Sequence, residues 1–170
     1  MSLGRLGVER IDLLQLHHVD PQVPLEDQVG ALVDLQREGK VRHIGLSNVS
    51  VDQILAAQRL ARIVTVQNRY NLADRSSESV FGFCAQEDIG FIPWSPVAAG
   101  ELTRSGGPLK RIAQEVGSTP GQLVLAWLLH RSPVMLPIPG TASVAHLEDN
   151  IAAAGLRLSA AQFQALTNAL

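Results

Sequence analysis

Short apolar runs along this chain end in residues that can donate or accept hydrogen bonds: His17-His18, Ser47-Asn48, Gln67-Asn68, Trp94-Ser95 and Gly140-Thr141. Ser47, Asn48 and Gln67 carry hydroxyl and amide side chains, which both donate and accept hydrogen bonds. Trp94 has a flat, polarisable face. Gly140-Thr141-Ala142-Ser143 precedes a predicted helix start, where free amides and the helix dipole favour a phosphate. The small residues from Ser95 to Gly100 permit close backbone approach. Alternation along an extended strand sends His17 and His18 to opposite faces, so at most one of them looks into a site there, and spacing does not say which. Plainer roles stand beside these. Ser47 and Asn48 also read as turn residues, one of Gln67 and Asn68 reads as a turn residue, and Thr141 and Ser143 read as caps. No metal site is expected.

The elements that must position these residues follow from pattern. Apolar runs predict strands at Ile11 to Leu16, Val41 to Leu46, Ile63 to Val66, Ile89 to Pro93 and Val134 to Ile138. Between them the sequence predicts helices. The first runs from about Pro24 to Glu38, with Pro at the start, Glu26 and Asp27 at the positive end and Gly39 as the stop. Ser50 with Gln53 forms a capping-box pattern before Val51 to Ala61, and Thr119 with Gln122 forms another before a helix ending near His130. Further helices are expected at Ser77 to Asp88, at Leu109 to Val116, from a Ser143 cap to Ala153, and after Ser159. A Gly/Pro-rich loop spans Ser95 to Pro108.

Alternating strands and helices predict a parallel sheet with right-handed crossovers. An open doubly wound sheet would want a Gly-x-Gly-x-x-Gly turn, which is absent. Polar residues at the C-terminal end of strand after strand instead predict a (β/α) barrel of TIM type, whose site is built from the loops after the strands. A complete barrel takes about 250 residues and eight strands. Residues 1–170 therefore read as one incomplete barrel domain of about five strands. Open edges and uncovered apolar helix faces predict self-association or a complementing barrel segment as partner.

Composition narrows the function classes. The chain is 46% hydrophobic and 18% charged, as a globular domain is, and its net charge of −2 gives no field for a polyanion, so nucleic acid is not an expected partner. The single cysteine, Cys84, between apolar neighbours, reads as a buried thiol in a reducing cytoplasm. The opening Met1-Ser-Leu-Gly-Arg has no apolar signal core, and no apolar run approaches the ~20 residues of a membrane span. A soluble, unexported protein is expected.

Five segments in order carry a resemblance: Ile11-Asp-Leu-Leu-Gln-Leu-His-His-Val-Asp-Pro21, Ile44-Gly-Leu-Ser-Asn48, Val66-Gln-Asn-Arg-Tyr-Asn71, Pro93-Trp-Ser-Pro96 and Ile138-Pro-Gly-Thr141. Together they resemble the aldo-keto reductases, from the fourth barrel strand of that family onward. The resemblance implies NAD(P)H-dependent reduction of aldehydes or ketones, with NADP the expected cofactor and NAD the alternative. It implies that His17 orients and polarises the substrate carbonyl, and that Ser47, Asn48 and Gln67 hydrogen-bond the nicotinamide carboxamide. It further implies that Trp94 stacks on the nicotinamide, that Ser95, Pro96 and Gly100 belong to the stretch around the pyrophosphate, and that Gly140, Thr141 and Ser143 meet the adenosine phosphate with Asn150 near the adenine. Where many members carry Lys and Arg, this chain has Gly140 and His146.

The family's Asp, Tyr acid and Lys come from earlier strands, and nothing here matches them. Tyr70 lies in a later motif; Lys40, Lys110 and Asp12 also sit elsewhere. Losing a general acid typically costs on the order of 10²–10⁴-fold, so impaired turnover by this chain alone is expected. Two further readings are a non-catalytic nicotinamide-dinucleotide-binding module and an unrelated phosphate-binding barrel.

Overall fold

In the computed structural model, residues 2–98 and 108–169 are described. The chain divides into two compact units: Met1–Asn68 with Ser79–Phe91, and Arg69–Glu78 with Ile92–Leu170.

The first unit holds a four-stranded parallel sheet in the order β1-β2-β3-β4. Its strands are β1 (Ile11–Leu16), β2 (Val41–Ser47), β3 (Ile63–Gln67) and β4 (Gly90–Phe91), and its helices are α1 (Ser2–Leu6), α2 (Leu25–Arg37), α3 (Val51–Gln58) and most of α4 (Glu78–Gln86). One face of the sheet is core. Ile44, Leu46 and Val66 are fully buried, as are Val29 of α2 and Ile54 and Ala57 of α3. Burying such large aliphatic side chains contributes roughly 1.5–3 kcal/mol each, which is what ties the helices to this face. The predicted Ser50–Gln53 capping box forms, so the turn after β2 leaves directly into α3. On α4, Phe81 meets Phe91 of β4 edge to face with ring centroids 5.5 Å apart. Cys84 is fully buried there, and loss of solvation pushes its thiol up to about 12, an unreactive state.

The second unit is built around α6 (Pro120–Arg131), packed with α5 (Pro108–Glu115), α7 (Val144–Ala152), a 3₁₀ turn (Ala153–Gly155) and α8 (Ala160–Thr167). Helix α6 is apolar all round, as a central helix must be: Leu123 to Leu128 are all buried. Trp127 stacks with both Tyr70 and Phe163, with ring centroids 6.2 Å apart in each pair, and its indole N–H donates to Thr167 Oγ1 at 2.9 Å.

Two strand expectations are corrected. Val134 to Ile138 forms no strand; only Met135 makes a single β-bridge. Pro133, Pro137 and Pro139 remove backbone donors through this stretch, so an apolar run that reads as a strand cannot build a ladder. The strand predicted at Ile89 to Pro93 shrinks to Gly90–Phe91, and beyond Pro93 the chain touches Arg69 through one parallel bridge at Trp94. The described residues thus hold four parallel strands in an open sheet, one fewer than the five expected. Helix α1 had no forecast in the sequence.

Candidate functional site

In the first unit, the candidate residues gather at the C-terminal ends of β2 and β3. Ser47 is fully buried and its hydroxyl donates to the Gln67 carbonyl at 2.9 Å. The Asn48 backbone amide donates to the same carbonyl at 3.0 Å. Asn48 stands in the left-handed region at φ 57°, a conformation that asparagine tolerates better than other side chains. Its side-chain amide donates to Ser47 Oγ at 3.0 Å and to the His17 carbonyl at 3.1 Å. Asn48 therefore ties the end of β2 to the turn after β1. A non-glycine residue held in this way at a strand end marks stored strain of the kind found at binding sites.

Hydrogen-bond partners separate the two amides at the end of β3, Gln67 and Asn68. Asn68 is buried, and its side chain pairs with the Val49 backbone, accepting from the amide at 3.1 Å and donating to the carbonyl at 2.8 Å. It is the turn residue. Gln67 is half-buried, and among the described residues no hydrogen bond is made by its side-chain amide, which keeps two donors and an acceptor for a ligand. Ser47 has spent its proton on the Gln67 carbonyl, which leaves its oxygen only an acceptor's role. The rings of His17 and His18 lie edge to face at 4.6 Å, both residues exposed.

In the second unit, Trp94 and Ser95 are fixed by a segment whose part the sequence did not reveal. The Arg69 guanidinium lies 5.5 Å over the Trp94 ring and pairs with Asp74 at 3.0 Å. Asn71 is fully buried; its side-chain N–H donates to the Ser95 carbonyl at 3.0 Å, while its oxygen accepts from the amides of Ala73 and Asp74. Ser95 and Ala98 both stand at positive φ. Asn71 with Asp74 is a turn signature that sequence could have offered; Arg69 gave none. Hydrogen bonds from the Ser76 hydroxyl and amide hold the Asp74 carboxyl below its ordinary range, with Arg69 adding to the effect.

Gly140, Thr141 and Asn150 line one cavity of about 440 Å³, within the range of ligand sites. Thr119 and Gln122 of the α6 start, together with His146 and Asp149 of α7, complete the parts that matter chemically. Gln122 does two jobs: its oxygen caps Thr119 at 2.9 Å and its amide nitrogen donates to Asp149 at 3.2 Å. Ser143 does not line the cavity; its hydroxyl accepts from the His146 amide at 3.4 Å and so caps α7. Its own amide donates to Thr141 Oγ1 at 3.1 Å. No atom lies within 4 Å of the place a Cβ would occupy on Gly140, so this wall of the cavity is open. Pro96 stands beside Ser95, and Gly100 lies outside the described residues.

Tyr70 is fully buried and its hydroxyl donates to Glu78 at 2.5 Å. Burial first, then that carboxylate, push its phenol well above the ordinary range, and Glu78 is also ion-paired to Arg131. The phenol is locked into the core of the second unit and is no proton donor to a ligand. Among the described residues no group of three or more His, Cys, Asp or Glu is placed to hold a metal, and no helix is long and apolar enough to cross a membrane.

Comparison with known proteins gives the family. The aldo/keto reductase family model matches residues 1–170, so the chain belongs to the aldo/keto reductase family. An uncharacterised oxidoreductase of Schizosaccharomyces pombe is 48% identical over 98% of the chain and 54% of its own length. Pyridoxine 4-dehydrogenase of Escherichia coli is 40% identical over 93% of the chain and 57% of its own. The crystal structure of an aldo/keto reductase from Klebsiella pneumoniae with NADP and acetate superposes with a TM-score of 0.88 at 32% identity, covering 97% of this chain and 60% of that one. The chain thus spans just over half the length of these two curated relatives.

The Asp74 carboxyl gives an acid-stability prediction. Its folded pKa is depressed, so its contribution is full above the ordinary carboxylate pKa and is lost as pH falls through the lowered value. Thermal melts from neutral to acid pH should show a shallower decline for Asp74→Asn than for the native chain. Parallel declines would contradict the Asp74 assignment.

Proposed function

We propose that this chain carries the cofactor-binding and carbonyl-orienting part of an oxidoreductase that uses NADPH, with NADH the alternative, to reduce aldehydes or ketones to alcohols. The observation that carries the reading is the Ser47-Asn48-Gln67 cluster, strained at Asn48 and holding an uncommitted amide at Gln67. When bound, the reduced nicotinamide supplies the hydride. Gln67 donates to and accepts from the carboxamide, and Ser47 and Asn48 complete that contact. Trp94, braced by Arg69, stacks on the nicotinamide ring. Ser95 and Pro96 flank the pyrophosphate; Gly100, expected in the same stretch, lies outside the described residues. Gly140, Thr141 and the α7 amides that follow Ser143 receive the adenosine phosphate, with Asn150 towards the adenine. The donor set and the open wall at Gly140 fit such a group. His17 orients the carbonyl and donates to its oxygen as negative charge grows there.

With Tyr70 buried against Glu78, this chain presents no phenol to protonate the alkoxide. Turnover by these 170 residues alone is accordingly slow, by roughly 10²–10⁴-fold relative to a site with its acid in place. NADP-bound relatives support the cofactor choice, and a reducing cytoplasm suits the buried thiol of Cys84. Val144, Leu147 and Ile151 form an exposed apolar stripe on α7, at 72%, 49% and 66% exposure. Stripes of this kind are interaction surfaces, buried here by a second copy or by a complementing barrel segment.

Titration of native chain with NADPH, followed by the cofactor's fluorescence, should saturate, and Gln67→Leu should weaken binding about tenfold as a hydrogen-bonded amide is lost. An aldehyde panel, with pyridoxine in the oxidative direction as the E. coli relative's name suggests, then measures residual turnover. Failure to bind either nicotinamide dinucleotide would overturn the reading, and rapid turnover would overturn the account of the missing acid. For the surface, light scattering should find assemblies larger than one chain that dissociate in Ile151→Glu; a stable native monomer would contradict it.

A further inference from the structure

The alternation of β3 contains a break with consequences for the binding cluster. β2 and β3 pair Ile44 with Ile63, but the next pair is Gly45 with Thr65, so one residue of β3, Val64, has no counterpart. Beyond the break Leu46 pairs with Val66 and Ser47 with Gln67. Ile63 and Val66 thereby both stay on the buried face, although three positions apart, and Thr65 and Gln67 are turned to the face that carries Gly45 and Ser47. Without the extra residue, Val64 and Val66 would occupy that face. A slip of one residue exchanges every side chain of a strand between its two faces. It would replace the amide at the strand end with an aliphatic side chain.

Burial of Val66 beside Leu46 favours the shifted register, and one side-chain bond across three strands adds to it. Gln15 of β1 pairs with Gly45, which pairs with Thr65. Above Gly45 the Gln15 side-chain N–H donates to Thr65 Oγ1 at 3.2 Å, a link that passes over β2. Parallel neighbours lie about 4.8 Å apart, so a bond from the first strand to the third needs a long side chain and an empty middle position. Gly45 is that empty position: a Cβ there would meet Thr65 Oγ1 at 2.3 Å and Gln15 Cγ at 2.9 Å. A valine presented in place of Thr65 offers Gln15 no acceptor, so the bond exists only in the shifted register.

The geometry points to Gln15 and Thr65, linked over Gly45, as positioning residues that lock the β2–β3 register and so aim Gln67 alongside Ser47 at the nicotinamide end of the cofactor. This rests on the proposed dinucleotide binding and adds to it a distinction between the two ends of the ligand. The lock acts in the sheet of the first unit; the cavity at Gly140 and Thr141, proposed for the phosphate, is lined by residues of the second.

The test compares two ligands on the full chain. NADPH carries the nicotinamide; adenosine 2′,5′-bisphosphate does not. Thr65→Val, nearly equal in volume, should lower NADPH affinity about three- to tenfold, the worth of one hydrogen bond that sets a register, while bisphosphate affinity stays within about twofold. Thr65→Ser, which keeps the hydroxyl, should restore NADPH binding. Gly45→Ala, with its melting temperature followed as a folding control, should show the same selective loss. Unchanged NADPH affinity in Thr65→Val, a parallel fall for both ligands, or no rescue by serine would overturn the positioning role while native binding still supported the function. If the native chain binds no NADPH, the function and this inference fall together.

Discussion

Burial of Ile44, Leu46 and Val66 under α2 and α3 fixes the facing of β2 and β3, because turning any of them outward would expose a large aliphatic side chain to water. Once those residues point inward to the helices, their neighbours Gly45, Ser47, Thr65 and Gln67 must point to the opposite face. The polar character of that opposite face is thus a by-product of apolar burial on the other side of the sheet, corrected at one place by the extra residue of β3. The rim itself is finished by polar bonds rather than by packing. Ser47, Asn48 and Asn68 each spend side-chain groups on backbone partners, and Gln67 is left with its amide available.

The second unit solves a different problem, which is to hold an irregular segment still. Ladder pairing is nearly absent around Trp94, so side chains replace it: Asn71 takes the Ser95 carbonyl and two turn amides, and Arg69 bridges Trp94 and Asp74. Below this lies a core of stacked rings and guanidinium groups. Arg131 lies over both Tyr70 and Trp127, and Arg75 lies over Trp127 while donating to the Thr167 carbonyl. Their charges are offset by Glu78 and by backbone oxygen, which is what allows cations so close to a dry aromatic core.

Much of this was legible from the residues, and the limits have physical causes. The first three strands and the capping boxes at Ser50, Thr119 and Ser159 were readable, because alternation and cap chemistry are local. The run from Val134 to Ile138 misled, since apolar character outweighed three prolines in the reading but not in the backbone. At β3, period-two reasoning from Ile63 onward places Thr65 with Ile63 and misses the shift, since a bulge leaves no mark on composition. The family's pattern named Ser47, Asn48 and Gln67; only hydrogen-bond partners distinguished Gln67, with an available amide, from Asn68, which serves the turn. Gln122, Asp149, Arg69 and Asn71 entered through contacts between segments distant in the chain, which no single-sequence pattern records.

Under the proposed function, the C-terminal ends of β2 and β3 meet the nicotinamide part of the dinucleotide and the start of α7 meets its adenosine phosphate. Hydrogen–deuterium exchange of the full chain with and without saturating NADPH locates that contact directly. The account predicts slowed exchange in peptides spanning Ser47 to Val49, Gln67 to Asn68 and Gly140 to His146, with no change at the opposite strand ends near Arg62 and Asp88. Protection confined to those opposite ends, or absent from the Ser47 and Gln67 peptides while NADPH is bound, would contradict it.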